Sequence, residues 1–369
     1  MADPMTTMIE AAKNPANCLN ELRSTTGRPV MFVMPMYFPR EVLDAAGFIP
    51  AEIWGSEKPL SASGEFLQPT ICSLVIGVFE LGLSGELGEL AGAVFPSTCD
   101  TVQNSEGLWA SRFPDGFTGH VVLPKITSAK GAAEFIEAQI REYMQELKAR
   151  TGDDVTDEAL SEAIARGNRA RAAARVLLDM GLDGRLSAKE RNAVFVLYNL
   201  MPFDEFASLA EQAAEQIRSR EPDTAAEPVL VSGMVLGPQS VVDLYDSLGA
   251  RIVDDDLGIG RRSIDPDVDR SGDPVAALAA RHLARRPCCT FHHSGKDRAA
   301  DLIDQVKGSK AKGVVFSRLK FCDPEAFDYP YLSGALKGAG ISSVLLEIEL
   351  GTLSLEAVTT RLQAFLESL

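Results

Sequence analysis

The chain has 369 residues, 46% of them hydrophobic, and a formal net charge of −16. This length exceeds what one hydrophobic core usually supports, so two domains are expected, and the charge excludes nonspecific nucleic-acid binding, which needs a concentrated basic face. The longest apolar runs, such as Gly313-Val-Val-Phe, fall far short of the roughly 20 residues that a membrane-crossing helix requires, which excludes a membrane span of that kind.

The opening Met1-Ala-Asp-Pro-Met-Thr-Thr-Met-Ile-Glu10 has neither a basic start nor an apolar core. It does not read as a secretory signal, and a cytoplasmic location is expected. From Pro29, Val30-Met-Phe-Val-Met is a short apolar run stopped by Pro35, the pattern of a buried strand. A helix is expected next, with Pro39 and Glu41 suited to its first turn, Val42-Leu43 and Ala45-Ala46 forming its apolar face, and Gly47 ending it. The same alternation is expected again over Ile71 to Leu90, interrupted by Gly77, Gly82, Gly85 and Gly88. Gly92-Ala-Val-Phe-Pro96 follows as another buried strand, with Cys99 directly after it. Functional residues of an open parallel sheet gather beyond the carboxyl ends of strands, so this position favours a site.

Between about Ser128 and Arg218 helix formers dominate, with helices expected over Ala132–Arg150, Asp157–Met180, Ser187–Leu200 and Asp204–Arg220. Ser187-Ala-Lys-Glu190 has the form of a capping box. After the two-proline linker Glu221–Pro228, strands are expected at Pro228–Gly233, Arg251–Asp254, Gly313–Ser317 and Ser343–Glu347. Helices are expected between and after them at Val241–Leu248, Asp297–Lys307, Pro330–Gly338 and Leu355–Leu366. Strand–helix alternation of this kind predicts mostly parallel sheets with right-handed crossovers. The expected organisation is an α/β domain over 1–127, a helical segment over 128–220 and a second α/β domain over 221–369.

Six cysteines in so long a chain do not make a disulfide scaffold; they are free thiols or metal ligands. Cys72, Cys99 and Cys322 each neighbour a proline or an acidic residue, but their spacing matches neither compact zinc nor ferredoxin patterns. A shared site forms only if the two α/β domains meet over it. Cys288 and Cys289 are adjacent, and neighbours in an extended segment point to opposite faces, so the pair is not expected to share an ion. They and Cys18, in an expected N-terminal helix, are left outside the site. Glu57 follows an expected strand and is either an acid/base or an exposed loop carboxylate, and Tyr37, between prolines, is either a proton donor or ordinary packing. The His292-His293 pair is a candidate for proton transfer or a surface feature. Arg261-Arg262, Arg281, Arg285-Arg286, Lys296 and Arg298 form either a patch for a phosphorylated ligand or a solvated surface. Gly258-Ile-Gly260 lacks the third glycine of a dinucleotide fingerprint, and Ser294-Gly-Lys296 lacks the upstream glycine of a P-loop.

Longer phrases carry a resemblance. Met34-Pro-Met-Tyr-Phe-Pro-Arg-Glu41, Ala45-Ala-Gly-Phe-Ile-Pro50, Ile53-Trp-Gly55, Pro96-Ser-Thr-Cys-Asp100, Val231-Ser-Gly233, Asp254-Asp-Asp256, Lys320-Phe-Cys-Asp-Pro324 with Phe327-Asp-Tyr-Pro330, and Thr360-Arg-Leu-Gln-Ala-Phe365 resemble the benzoyl-CoA reductase/2-hydroxyacyl-CoA dehydratase family. The resemblance implies two flavodoxin-like domains with a helical part, and one [4Fe-4S] cluster held between the domains through Cys72, Cys99 and Cys322. It also implies a related second iron–sulfur subunit, a CoA-thioester substrate reduced to a ketyl radical, and a separate activator protein that uses ATP and injects the electron. The phrase around Cys99 with Trp109 resembles the aryl-CoA reductase branch, whose reaction is the leading expectation. Loss of water from a 2-hydroxyacyl-CoA is the alternative, followed by a cluster-free scaffolding relative; a double-cluster redox protein would need further cysteines close to these three. Many relatives carry a Gly-Gln element where this chain has Gly351-Thr-Leu-Ser-Leu-Glu-Ala-Val-Thr359, so that loop departs from the family pattern.

Overall fold

The computed structural model describes residues 3–58, 61–351 and 354–369. Met1 and Ala2 of the opening segment, and Thr352 and Leu353 of the loop lacking Gly-Gln, lie outside them. Two helices open the chain, α1 (Pro4–Lys13) and α2 (Pro15–Thr26), each started by a proline in its first turn and by an Asp3 or Asn14 side chain that accepts a backbone N–H. Then come β1 (Val30–Val33), α3 (Arg40–Ala45), β2 (Ile49–Glu52), α4 (Ser73–Leu83), β3 (Gly92–Pro96), α5 (Asp100–Arg112) and β4 (Phe117–Val121). Four helices follow, α6 (Ala132–Thr151), α7 (Asp157–Asp179), α8 (Ala188–Leu200) and α9 (Phe203–Arg218). The remainder is β5 (Glu227–Gly233), α10 (Gln239–Ser247), β6 (Ala250–Leu257), α11 (Arg261–Ile264), α12 (Pro274–Ala284), α13 (Arg298–Ser309), β7 (Gly313–Leu319), α14 (Asp323–Gly338), β8 (Ser342–Ile348) and α15 (Leu355–Glu367).

The strands form two sheets with the same connectivity, β2-β1-β3-β4 and β6-β5-β7-β8, every pairing parallel. These are two flavodoxin-like parallel sheets, as expected. β1 to β3 are buried along their whole length, which is why β1 and β3 read as unbroken apolar runs. In each sheet the chain leaves the first strand toward one side and returns to cross to the other. This creates a switch point between β1 and β3, and another between β5 and β7, where crevices open beyond the carboxyl ends. Helix α8 packs on β2 of the first sheet and on α10 of the second, while α12 packs on α6 and α7, so the helical segment clamps both sheets. One apolar core runs through both units, with a smaller one under α13 and α14.

Several local expectations are met. The Ser187 capping box forms, with Ser187 Oγ accepting from Glu190 N and the Glu190 carboxylate accepting from Ser187 N. Others are corrected. Ile71–Leu90 contains no strand: its glycines are absorbed into α4 and the following loop, because Gly77 lets the helix approach the backbone of Ser56, where a Cβ would sit 2.5 Å from the amide nitrogen. The short strand β4 and the helix α12 carried no expectation. Helix α14 starts at Asp323 and runs through Pro330, which sits inside the helix and not at its start.

Candidate functional site

The three cysteines share one local design. Cys72, Cys99 and Cys322 are the N-cap residues of α4, α5 and α14, and none of the three helices has a side-chain cap. The first-turn amides of Leu74 and Val75 near Cys72, of Thr101 and Val102 near Cys99, and of Glu325 near Cys322 each favour the ionised sulfur. A helix N-terminus presents unpaired N–H groups and positive potential, which favours a thiolate. Cys99 follows β3 and Cys322 follows β7, equivalent strands of the two sheets, at the switch-point ends. Phe321, in the left-handed region with φ 63°, turns the chain from β7 into α14.

Cys72 and Cys322, from the two α/β units, lie near enough for each thiol to perturb the ionisation of the other. That interaction leads in drawing the Cys72 thiol down, helped by the Leu74 and Val75 amides, and the same interaction with burial pushes Cys322 up. Cys99 is held up chiefly by burial and also feels the charge of Cys72. Lys125 Nζ, a counter-charge to Cys99, donates to the carbonyls of Ser97 (2.5 Å) and Thr98 (2.6 Å) and so fixes the loop ahead of that cysteine. The loop ahead of Cys72 is tied by Glu80, whose carboxylate accepts from the backbone N–H groups of Ser61, Ala62 and Ser63 and from both serine hydroxyls. Burial alone would raise that carboxyl, but these donors hold it at about 2.

Among the described residues no three His, Cys, Asp or Glu side chains close around a single ion. A donor set of three soft thiols, each on its own helix start, suits a cluster that offers each sulfur a separate iron rather than a hard cation. Glu325, in the first turn of α14, is buried and reaches Arg262 at 3.6 Å and Arg298 at 3.9 Å. Burial raises its carboxyl to about 7, against the pull of those two guanidiniums.

A cavity of about 340 Å³ opens between the units, lined among others by Glu52, Trp54, Glu57, Val196, Val235 and Leu350. Its wall touches the cysteine site through Leu350, whose N–H donates to Ser73 Oγ at 3.3 Å, next to Cys72. Glu57 stands exposed at the rim and accepts from Gln239 N at 2.7 Å, so the first unit caps α10 of the second; surrounding protein raises its carboxyl. Glu52, which sequence reasoning missed, is buried at the end of β2 with Oε2 unpartnered. Burial lifts it to about 7, against Arg40 and Arg285. The available signal was a carboxylate closing an apolar strand, Ile49-Pro-Ala-Glu52.

Tyr37 is buried elsewhere, with Arg285 over its ring at 4.6 Å and Phe291 at 5.4 Å, beside Cys288. Burial holds its phenol well above the usual range. His292 is exposed, and His293 Nδ1 accepts from Gly295 N at 3.0 Å, a turn contact. The basic stretch is mostly not a solvated surface: Arg261, Arg262, Arg281, Arg285 and Arg298 are buried, occupied by carboxylates and carbonyls.

The family model for 2-hydroxyglutaryl-CoA dehydratase, D-component, matches residues 35–369. The chain is 29% identical to the lactoyl-CoA dehydratase subunit beta of Anaerotignum propionicum, over 98% of this chain and 97% of that one. It is 27% identical to the (R)-phenyllactyl-CoA dehydratase beta subunit of Clostridium sporogenes over the same shares. To a benzoyl-CoA reductase subunit of Thauera aromatica it is 29% identical over 83% of this chain and 82% of that one. With a family match over nearly its whole length and relatives of this kind, the chain belongs to the 2-hydroxyglutaryl-CoA dehydratase D-component family and is an enzyme subunit.

Proposed function

We propose that this chain holds a [4Fe-4S] cluster through Cys72, Cys99 and Cys322 and serves low-potential electron chemistry on a CoA thioester. The observation that carries the reading is the placement of Cys72, Cys99 and Cys322 at three helix starts from both α/β units, Cys72 near enough to each of the other two to perturb its ionisation. When bound, such a cluster supplies single electrons and, with only three protein ligands, one open iron position. The chain's own residues do the rest. Three helix starts place the sulfurs at positive dipole ends, and the apolar cavity walls at Trp54, Val196, Val235 and Leu350 keep water from a bound acyl group. Its volume of about 340 Å³ suits the acyl end of the thioester better than the whole CoA. Glu52, its carboxyl raised to about 7 by burial, is suited to hold or take a proton at that wall, with Glu57 at the rim.

The two dehydratase beta subunits align from end to end, whereas the reductase relative matches less of the chain. This moves the reading from aryl-CoA reduction toward loss of water from a 2-hydroxyacyl-CoA, with reduction of an aryl-CoA as the second reading. A related second iron–sulfur subunit and a separate ATP-using activator are the proposed partners, the cytoplasm the proposed location, and 1–127, 128–220 and 221–369 the proposed domains. The test is anaerobic co-purification with the second subunit, then assay with both thioester classes, activator, ATP and a reductant. Formation of enoyl-CoA supports the first reading and dienoyl-CoA the second; an iron-free chain after reconstitution contradicts both.

A further inference from the structure

We infer that Cys288 and Cys289 form a vicinal dithiol that peroxide converts reversibly to a disulfide, a modification site made of residues outside the three-cysteine set. The segment is not extended. Phe291 N donates to Cys288 O at 3.3 Å, closing a turn with Cys289 and Thr290 at its tip, so the two adjacent thiols sit on one tight turn and perturb each other's ionisation. The turn overrides the opposite-face expectation, which holds only for extended backbone. Cys288 Sγ also receives Arg262 Nη1 at 3.4 Å and lies 3.3 Å from Thr290 Oγ1. Arg262 is only 1% exposed, so its charge acts on that sulfur without solvent screening. Burial raises the Cys288 thiol, but Cys289 and Arg262 outweigh it and draw it well down. Cys288 is 6% exposed and Cys289 half-buried, so a small oxidant reaches the Cys288 sulfur from the Cys289 side of the turn.

The place matters as much as the chemistry. This turn begins the strap by which the second unit reaches the first: His292 N donates to Lys125 O at 2.8 Å, and Thr127 N donates to His292 O at 2.9 Å. Phe291 packs on Tyr37 from the loop after β1. In the first step the Cys288 thiolate attacks hydrogen peroxide, an S–O bond forms, the O–O bond breaks and hydroxide leaves, giving a sulfenic acid. The Cys289 sulfur then attacks Cys288, the S–S bond forms and the second oxygen leaves. The dithiol loses two electrons and two protons, and peroxide becomes two waters. Disulfide formation removes the anionic acceptor of Arg262 Nη1 at the root of the strap.

The test uses the full chain purified without oxygen, treated with hydrogen peroxide, alkylated and digested with trypsin. The fragment Arg286–Lys296 contains Cys288 and Cys289 and none of the other cysteines. After peroxide most of it should lack both alkyl groups and two hydrogens, and dithiothreitol before alkylation should restore the doubly alkylated form. A fragment that stays doubly alkylated, or runs to sulfinic or sulfonic acid without a disulfide stage, overturns the inference. In Cys289→Ser the fragment should carry dimedone on Cys288, and failure to do so overturns Cys288 as the attacked sulfur. Iron content, measured in parallel, reads the cluster proposal separately.

Discussion

Glu52→Gln is the sharpest perturbation of the cavity. Glu52 is 5% exposed, its Oε2 has no hydrogen-bond partner, and burial raises its carboxyl from 4.5 to about 7. A carboxyl raised by folding is protonated more readily in the native chain than in the unfolded one. Its contribution is therefore favourable and complete below pH about 4.5, is lost as pH rises from there through about 7, and stays lost above that. At about 1.4 kcal/mol per pKa unit, the interval from 4.5 to about 7 corresponds to about 3 kcal/mol. Glutamine cannot ionise, so the variant's stability relative to wild type should improve by about 3 kcal/mol between pH about 4.5 and pH about 8. Any pH-independent cost of the amide, about 1–3 kcal/mol for an unsatisfied buried group, cancels in that comparison. Denaturant midpoints and slopes at the two pH values measure it. An equal stability difference at both would refute a buried, proton-holding Glu52.

Other substitutions test separate links. Cys99→Ser should lose iron and activity together, since a hydroxyl is a poor iron ligand; an iron-replete, active variant would contradict the assignment. Arg191 and Asp255 form an ion pair at 3.1 Å with both side chains 0% exposed. Arg191→Met, which strands the carboxylate, should cost about 3–5 kcal/mol in a denaturant midpoint experiment, and a much smaller loss would show that the pair is not sealed from water. Gly77→Ala places a Cβ 2.5 Å from the backbone nitrogen of Ser56, and should cost about 1–3 kcal/mol by the same measurement, with unchanged stability contradicting the close packing of α4 on that loop.

Much of the architecture was legible where local chemistry and tertiary position agree. Val30–Val33 and Gly92–Pro96 are apolar because both sheet faces are covered, and the Ser187 box works through neighbours in sequence. Legibility failed where a distant partner decides. Gly77 looked like a helix breaker because nothing nearby announces the backbone of Ser56. The arginines of the 261–298 stretch looked like surface because their carboxylate partners, Asp179 among them, lie on other elements. Cys288 and Cys289 looked divergent because the turn that joins them is closed by Phe291 and braced by Lys125. Within the site, the three cysteines stood out through the phrases around them, whereas Glu52 acquires its perturbed carboxyl only from the folded surroundings.

Three thiols, each at a helix start and drawn from two α/β units, are proposed to bind one iron–sulfur cluster. Mössbauer spectroscopy on the iron-57-reconstituted full chain, kept free of oxygen, tests it most directly. The expected spectrum shows the quadrupole doublets of a [4Fe-4S] cluster, lost when Cys72, Cys99 or Cys322 is replaced by alanine. A spectrum of adventitious iron alone, unchanged by those replacements, would contradict it.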